Sequence, residues 1–270
     1  MSARGRTGSA RVLAGAVLLA TLVGCGSSGA GSVTVRPDPS ATGSSTTLPS
    51  MKTLHTYFDG VASGTVSGYD EAKAAAVPGS TADRYVAYLR AAAEAVLGGG
   101  HTPGNGDASA EVDAGAFKFC TDSGSGKVCY RYADITGADG KVADFSVNGR
   151  PVADRVLVGA GSSVPASGVD GGASLVAAFE NTTGDDLFVA VSVRAGAHDL
   201  SGVRATYSPT GASPVESSRM TGPDTVRAGA GGSYVFAFPG ARLGGTLTLA
   251  LRAGSPGETP TPGTVVLDVR

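Results

Sequence analysis

The chain contains no tryptophan, three histidines and three cysteines, and only 16% of its residues are charged. These shortages exclude whole classes of chemistry. His55, His101 and His198 stand far apart, and neither HExxH nor a paired-cysteine spacing occurs, so no transition-metal site is implied. A GxSxG elbow is missing, as is a GxxxxGK loop followed by Ser or Thr. Carboxylates gather at turn residues: Asp139 before Gly140, Asp185-Asp186 after Gly184, Asp224 after Pro223. Turn formation accounts for each of them, and none has the spacing of a calcium loop. Asn181-Thr182-Thr183 has the form of a glycosylation sequon, but its turn role suffices. No cofactor and no catalytic residue are assigned on this basis.

What is present begins with a processing signal. Arg4, Arg6 and Arg11 form a basic start, and Val12 to Val23 supply twelve mostly apolar residues. That run is shorter than the about 20 residues a membrane-spanning helix needs and has the length of a signal-peptide core. It ends in Leu22-Val23-Gly24-Cys25, which resembles the bacterial lipobox residue by residue. The resemblance implies that residues 1–24 are removed and that Cys25 carries a diacylglyceryl thioether and an acylated amino terminus. Two or more chains make a stable anchor where one does not. The expected location is therefore the extracytoplasmic face of the plasma membrane, with the membrane itself as a partner through the lipid. With Cys25 spent on lipid, Cys120 and Cys129 remain as an even pair in an oxidising compartment.

Twenty of the twenty-five residues from Gly26 to Ser50 are Gly, Ser, Thr, Pro or Ala, the composition of a flexible tether. Such a tether reaches roughly 25–30 Å. Gly24-Cys25-Gly26-Ser27-Ser28-Gly29 satisfies GxGxxG, but it follows no strand and opens no helix, so no dinucleotide site is implied. After removal of residues 1–24 the chain holds 18 Lys and Arg against 23 Asp and Glu, a formal charge of −5. No basic stripe remains, which argues against nucleic acid as a partner.

Periodicity changes after Ser50. Leu54, Tyr57, Phe58 and Val61 follow helical spacing, and a second short helix fits Tyr69 to Val77, stopped by Pro78-Gly79. A third begins at Ser80 as N-cap, with Asp83 in its first turn. Tyr85, Leu89, Ala92 and Val96 line one face, Gly98-Gly99-Gly100 ends it, and Arg90 and Glu94 pair four apart on the wet side. A hairpin follows. A two-residue turn at Gly124-Ser125 sets Cys120 directly opposite Cys129 at a non-hydrogen-bonded position, where a disulfide fits. The other face then collects Phe117, Phe119, Val128, Tyr130 and Tyr132. Strands are expected to continue through Ile135, return from Val142 to Val147, turn at Asn148-Gly149, and end with Arg155 to Val158.

Residues 161–172 read as a linker. Beyond it Leu175/Ala177/Phe179, Leu187/Val189/Val191/Val193, Tyr234/Phe236/Phe238, Leu247/Leu249/Leu251 and Val265/Leu267/Val269 alternate with period two. About seven short strands in some hundred residues is the pattern of a β-sandwich. The expected fold class is α+β: helices packed on a curved antiparallel sheet over residues 51–160, then an all-β sandwich over 173–270.

The stretch Leu54-His55-Thr56-Tyr57-Phe58-Asp59-Gly60-Val61, with Gly68-Tyr69-Asp70-Glu71-Ala72 and Val77-Pro78-Gly79-Ser80, resembles the opening of nuclear transport factor two-like domains. The later region resembles immunoglobulin-like sandwiches in architecture, without their Cys…Trp…Cys signature. The first resemblance implies a cone-shaped sheet around helices, with Tyr57, Tyr85, Tyr88, His55 and Asp59 as possible pocket residues. Members of that class include isomerases, dehydratases and cyclases as well as binding modules. The leading expectation is a non-enzymatic, lipid-anchored binding or interaction module. Its partner would be another envelope protein or a cell-wall component. The alternative is a small-molecule binder or enzyme using the cone, recognisable by an apolar pocket that encloses a buried acid or histidine.

Overall fold

The computed structural model describes residues 36–37, 47–105, 108–122, 126–182, 185–254 and 259–270. The signal sequence, Cys25, most of the tether and the hairpin turn at Gly124-Ser125 lie outside them. No helix of the described residues is long and apolar enough to cross a membrane.

Three helices open the described chain: α1 (Met51–Ser63), α2 (Val66–Ala74) and α3 (Thr81–Gly98). Each starts at a hydroxyl cap, with Ser50, Thr65 and Ser80 accepting from the backbone N–H three residues on. The second helix starts earlier than its aromatic pattern indicates, because Thr65 caps it and Gly68 sits inside it. That glycine has a packing reason. A Cβ on Gly60 would lie 2.4 Å from the Gly68 carbonyl oxygen, so α1 and α2 cross at backbone contact.

The first sheet contains β1 (Arg36–Pro37), β2 (Glu111–Asp113), β3 (Ala116–Asp122), β4 (Lys127–Ala138), β5 (Lys141–Val147) and β6 (Arg150–Pro151). Strands β2 to β6 form an antiparallel meander, and β1 adds in parallel to β4, with Arg36 opposite Thr136. The hairpin register is the one the sequence implies: Asp122 faces Lys127, Thr121 faces Val128 and Cys120 faces Cys129.

The remaining strands are β7 (Val156–Val158), β8 (Val164–Pro165), β9 (Gly171–Glu180), β10 (Asp186–Ala195), β11 (Leu200–Pro209) and β12 (Val215–Glu216). They continue with β13 (Arg219–Thr221), β14 (Thr225–Val226), β15 (Gly231–Pro239), β16 (Gly245–Ala253) and β17 (Thr261–Val269). The second sheet runs β13-β15-β10-β9-β7 with β8 also on β9, and the third runs β12-β11-β16-β17 with β14 on β11. The two pack face to face in a sandwich-like arrangement, filling the space between them with Leu187, Val189, Val191, Phe236, Phe238, Leu247 and Leu249. The chain is thus α+β, with antiparallel sheets and a β-rich later part.

Two segments differ from their sequence reading. Val156–Val158, expected as the last strand beside the helices, pairs instead with Phe179, Ala178 and Ala177 of the second sheet. The short 3₁₀ turn Ala153–Arg155 redirects the chain there, and the Arg155 guanidinium meets Glu180 of β9. Residues 161–172, expected as a linker, contain β8, and Ser167 bridges across to Thr264 of β17.

The second sheet is covered on both faces. Its far side carries Ala177, Phe179, Phe188, Ala190 and Ala237, which join the core of the helices and first sheet. Helix α3 lies between them, which is why Tyr85, Val86, Tyr88, Ala91, Ala93 and Ala95 are all buried while Leu89, Ala92 and Val96 are half-buried. The expected one-sided stripe is therefore a broader burial against two layers, with Asp83, Arg84, Ala87, Arg90 and Glu94 left half-buried on the remaining side. A register shift in β9 opposite Ala190 and Val191 splits its apolar residues. Leu175 and Ala178 face the sandwich, whereas Ala177 and Phe179 face α3.

Candidate functional site

The sequence nominates five pocket residues, and the structure separates them. Tyr57, Tyr85 and Tyr88 come together in the interior, each at most 5% exposed. The Tyr57 hydroxyl donates to the Ala82 carbonyl at 3.0 Å, joining α1 to the start of α3. Tyr85 meets Phe145 edge-on with ring centroids 5.4 Å apart, and Tyr88 packs on Phe179 with ring centroids 5.1 Å apart. Around them Phe58 stacks on Phe117 at 4.6 Å, and Phe145 meets the rings of Tyr57, Phe58, Tyr85 and Tyr132. Edge-to-face and offset contacts of this kind add to the burial energy of each ring. They also fill the space between the helices and the first sheet. Burial raises the phenol pKa of Tyr57, Tyr69, Tyr85, Tyr88 and Tyr132 above the ordinary value.

His55 and Asp59 lie on the outer side of α1. Their side chains are 45% and 43% exposed, with His55 Nδ1 3.5 Å from Asp59 Oδ2. Each has a structural contact as well. Asp59 Oδ1 accepts from the Ala110 N–H at 2.8 Å, fixing the approach to β2, and the His55 ring meets the edge of Phe117 at 5.1 Å. Neither points among the buried tyrosines, so the histidine, the acid and the phenols do not form one constellation.

Cys120 and Cys129 are disulfide-bonded, with Cα atoms 4.0 Å apart, on the face of the hairpin opposite the core residues Phe119 and Tyr132. The bridge ties the long hairpin at the sheet margin and stands away from the tyrosines. Among the described residues no group of three or more His, Cys, Asp or Glu side chains could hold a metal ion.

Two open surface depressions were not evident from the sequence. One, of about 300 Å³, runs where α3 meets β7 and β9 and is lined by Lys73, Arg90, Glu94, Val158, Gly159 and Leu175. Arg90 crosses its wall, donating to Asp70 Oδ1 of α2 at 2.8 Å and pairing with Glu94. The sequence shows the Arg90–Glu94 spacing; the contact with Asp70 needs the α2–α3 packing. The second, about 230 Å³, lies beside Asp170 and Arg194. Asp170 Oδ2 there accepts from the Ala197 N–H at 2.8 Å, so its carboxylate holds a turn. Compared with known protein families, characterised proteins and solved structures, the chain matches none.

Proposed function

We propose that this is a non-enzymatic, lipid-anchored envelope protein that acts through its outer surface as a binding or interaction module. The lipobox at Leu22–Cys25 supplies the location, on the extracytoplasmic face of the plasma membrane. The helices on the first sheet are read as a nuclear transport factor two-like unit, and the later sheets as an immunoglobulin-like sandwich. The observation that carries the functional reading is the filled cone: Tyr57, Phe58, Phe117, Tyr132 and Phe145 are each at most 2% exposed and interlock by their rings. A ligand pocket needs concave, accessible space with a few convergent polar groups. The interior aromatics take that space, and His55 and Asp59 stand outside it. Recognition then falls to surface features, and the partner is a protein of the envelope or a cell-wall component.

The test is complementation of a deletion phenotype. A combined His55→Ala, Asp59→Asn and Tyr57→Phe variant retains activity, whereas Cys25→Ala loses it. Loss of activity in the combined variant, while circular dichroism shows it folded under the assay conditions, overturns the surface reading in favour of a site inside the cone.

A further inference from the structure

The tether does not run free to the first helix. Arg36 and Pro37 add as a strand to β4 opposite Thr136 and Gly137. Ten residues on, the Thr47 carbonyl accepts from the Gly140 N–H at 2.7 Å, and Pro49 is buried against Gly137. A Cβ on Gly137 would lie 2.3 Å from Pro49 Cδ, so glycine there makes room for the proline. The far end of β4 and its turn into β5 are thus where the tether docks. Only residues 26–35 then separate Cys25 from the docked strand. Eleven Cα steps span at most about 36–40 Å fully extended.

The same end of the molecule carries exposed apolar side chains. Leu48 and Met51 are 40% and 45% exposed, two of the six large hydrophobic residues so exposed among the described residues. Arg36 and Lys52 are exposed beside them, and Lys141 is half-buried at the β4–β5 turn. Asp139 in that turn offsets part of the charge, and Asp134, further back on β4, accepts a hydrogen bond from Ser146. Exposed apolar side chains close to a short lipid tether suit the boundary between acyl chains and headgroups, and Lys52 and Lys141 can reach anionic headgroups beside Asp139 and Asp144.

We infer that this tether-docking end is a membrane-contact surface, with Leu48 and Met51 seated at the headgroup layer and Arg36, Lys52 and Lys141 against anionic lipid. The inference rests on acylation of Cys25. It sets the direction of the whole molecule: the tether-docking end of the first sheet faces the bilayer, and the third sheet, packed on the far face of the second, is the layer left to meet a partner.

The experiment uses the full-length acylated protein in vesicles of phosphatidylcholine with or without phosphatidylglycerol. A fluorophore is attached at Met51→Cys or, as control, at Val266→Cys, both exposed positions. Flotation reports the anchor, and a bilayer-restricted quencher reports the orientation. The expected result is flotation of both, loss of most of the emission at position 51, and unchanged emission at position 266. Lys52→Glu combined with Lys141→Glu reduces the loss at position 51 in vesicles containing phosphatidylglycerol. Flotation with equal quenching at the two positions overturns the orientation and leaves the anchor standing. Absence of flotation overturns the anchor, and the membrane contact with it.

Discussion

Phe179→Ala tests how the molecule is held together. Phe179 belongs to β9 of the sandwich, but its ring faces the helices, 5.4 Å from Tyr85 and 5.1 Å from Tyr88 between centroids. Only 6% of the residue is exposed. Truncating a buried phenylalanine costs about 3–5 kcal/mol, the transfer energy of the lost ring plus the cavity it leaves. The helix side of this site is alanine-rich, with Ala82, Ala91 and Ala93 on α3, so few long side chains can move in to fill the space. The cost should therefore lie in the upper part of that range. For a folded region of this size each kcal/mol lowers Tm by roughly 2–4 °C, giving a fall of about 10 °C. Calorimetry and urea titration followed by near-ultraviolet circular dichroism, which reports tyrosine packing in a tryptophan-free chain, measure it. A single transition that moves as a whole is the expected outcome. Two transitions of which only one moves, or a loss under about 1 kcal/mol, would refute the shared core around α3.

Four further outcomes follow from the same structure. Replacing Cys120 and Cys129 with Ser should cost about 2–3 kcal/mol, the chain-entropy value for so short a loop, read as a lower urea midpoint. Tyr57→Phe leaves the Ala82 carbonyl without its 3.0 Å donor and should cost about 1–2 kcal/mol by the same titration. Gly60→Ala drives a Cβ to 2.4 Å from the Gly68 oxygen, and the overpacking should cost about 1–3 kcal/mol, with α1 and α2 forced apart in hydrogen exchange. Alkaline stability should also fall. Burial pushes Tyr207 and Tyr234 up to about 12 against an ordinary 10, so between those pH values the unfolded chain has lost protons the folded chain retains. Their contribution is complete below pH 10 and declines as pH rises to about 12, seen as tyrosinate absorbance appearing together with unfolding.

The local elements were legible because local rules fix them. Ser80 and Asp83 marked the start of α3, and counting outward from Gly124-Ser125 placed Cys120 opposite Cys129. The sandwich strands announced themselves by alternation, as in Leu247, Leu249 and Leu251. What the sequence did not disclose is which surfaces meet. In Leu187-Phe188-Val189-Ala190-Val191 the odd positions read as one buried face, yet Phe188 and Ala190 are buried too, against the helix layer. A continuous apolar run of this kind signals a strand covered on both sides, and alternation alone misses it. The irregularity in β9 has no sequence mark, since Leu175, Ala177 and Phe179 keep period two while facing different cores. The pocket residues divide for a related reason. Helical spacing groups Tyr57 with Phe58 and Val61, but whether a ring lines a cavity or fills it depends on the rings of Phe117, Tyr132 and Phe145 from other strands.

The proposed surface recognition from a lipid anchor depends first on acylation of Cys25. The direct measurement is metabolic labelling with an alkyne-bearing fatty acid, followed by mass spectrometry of the amino-terminal peptide. The expected result is an acylated chain beginning at Cys25, with the label lost and the protein released or left unprocessed in Cys25→Ala. An unlabelled chain cleaved elsewhere, or equal labelling of Cys25→Ala, contradicts the account.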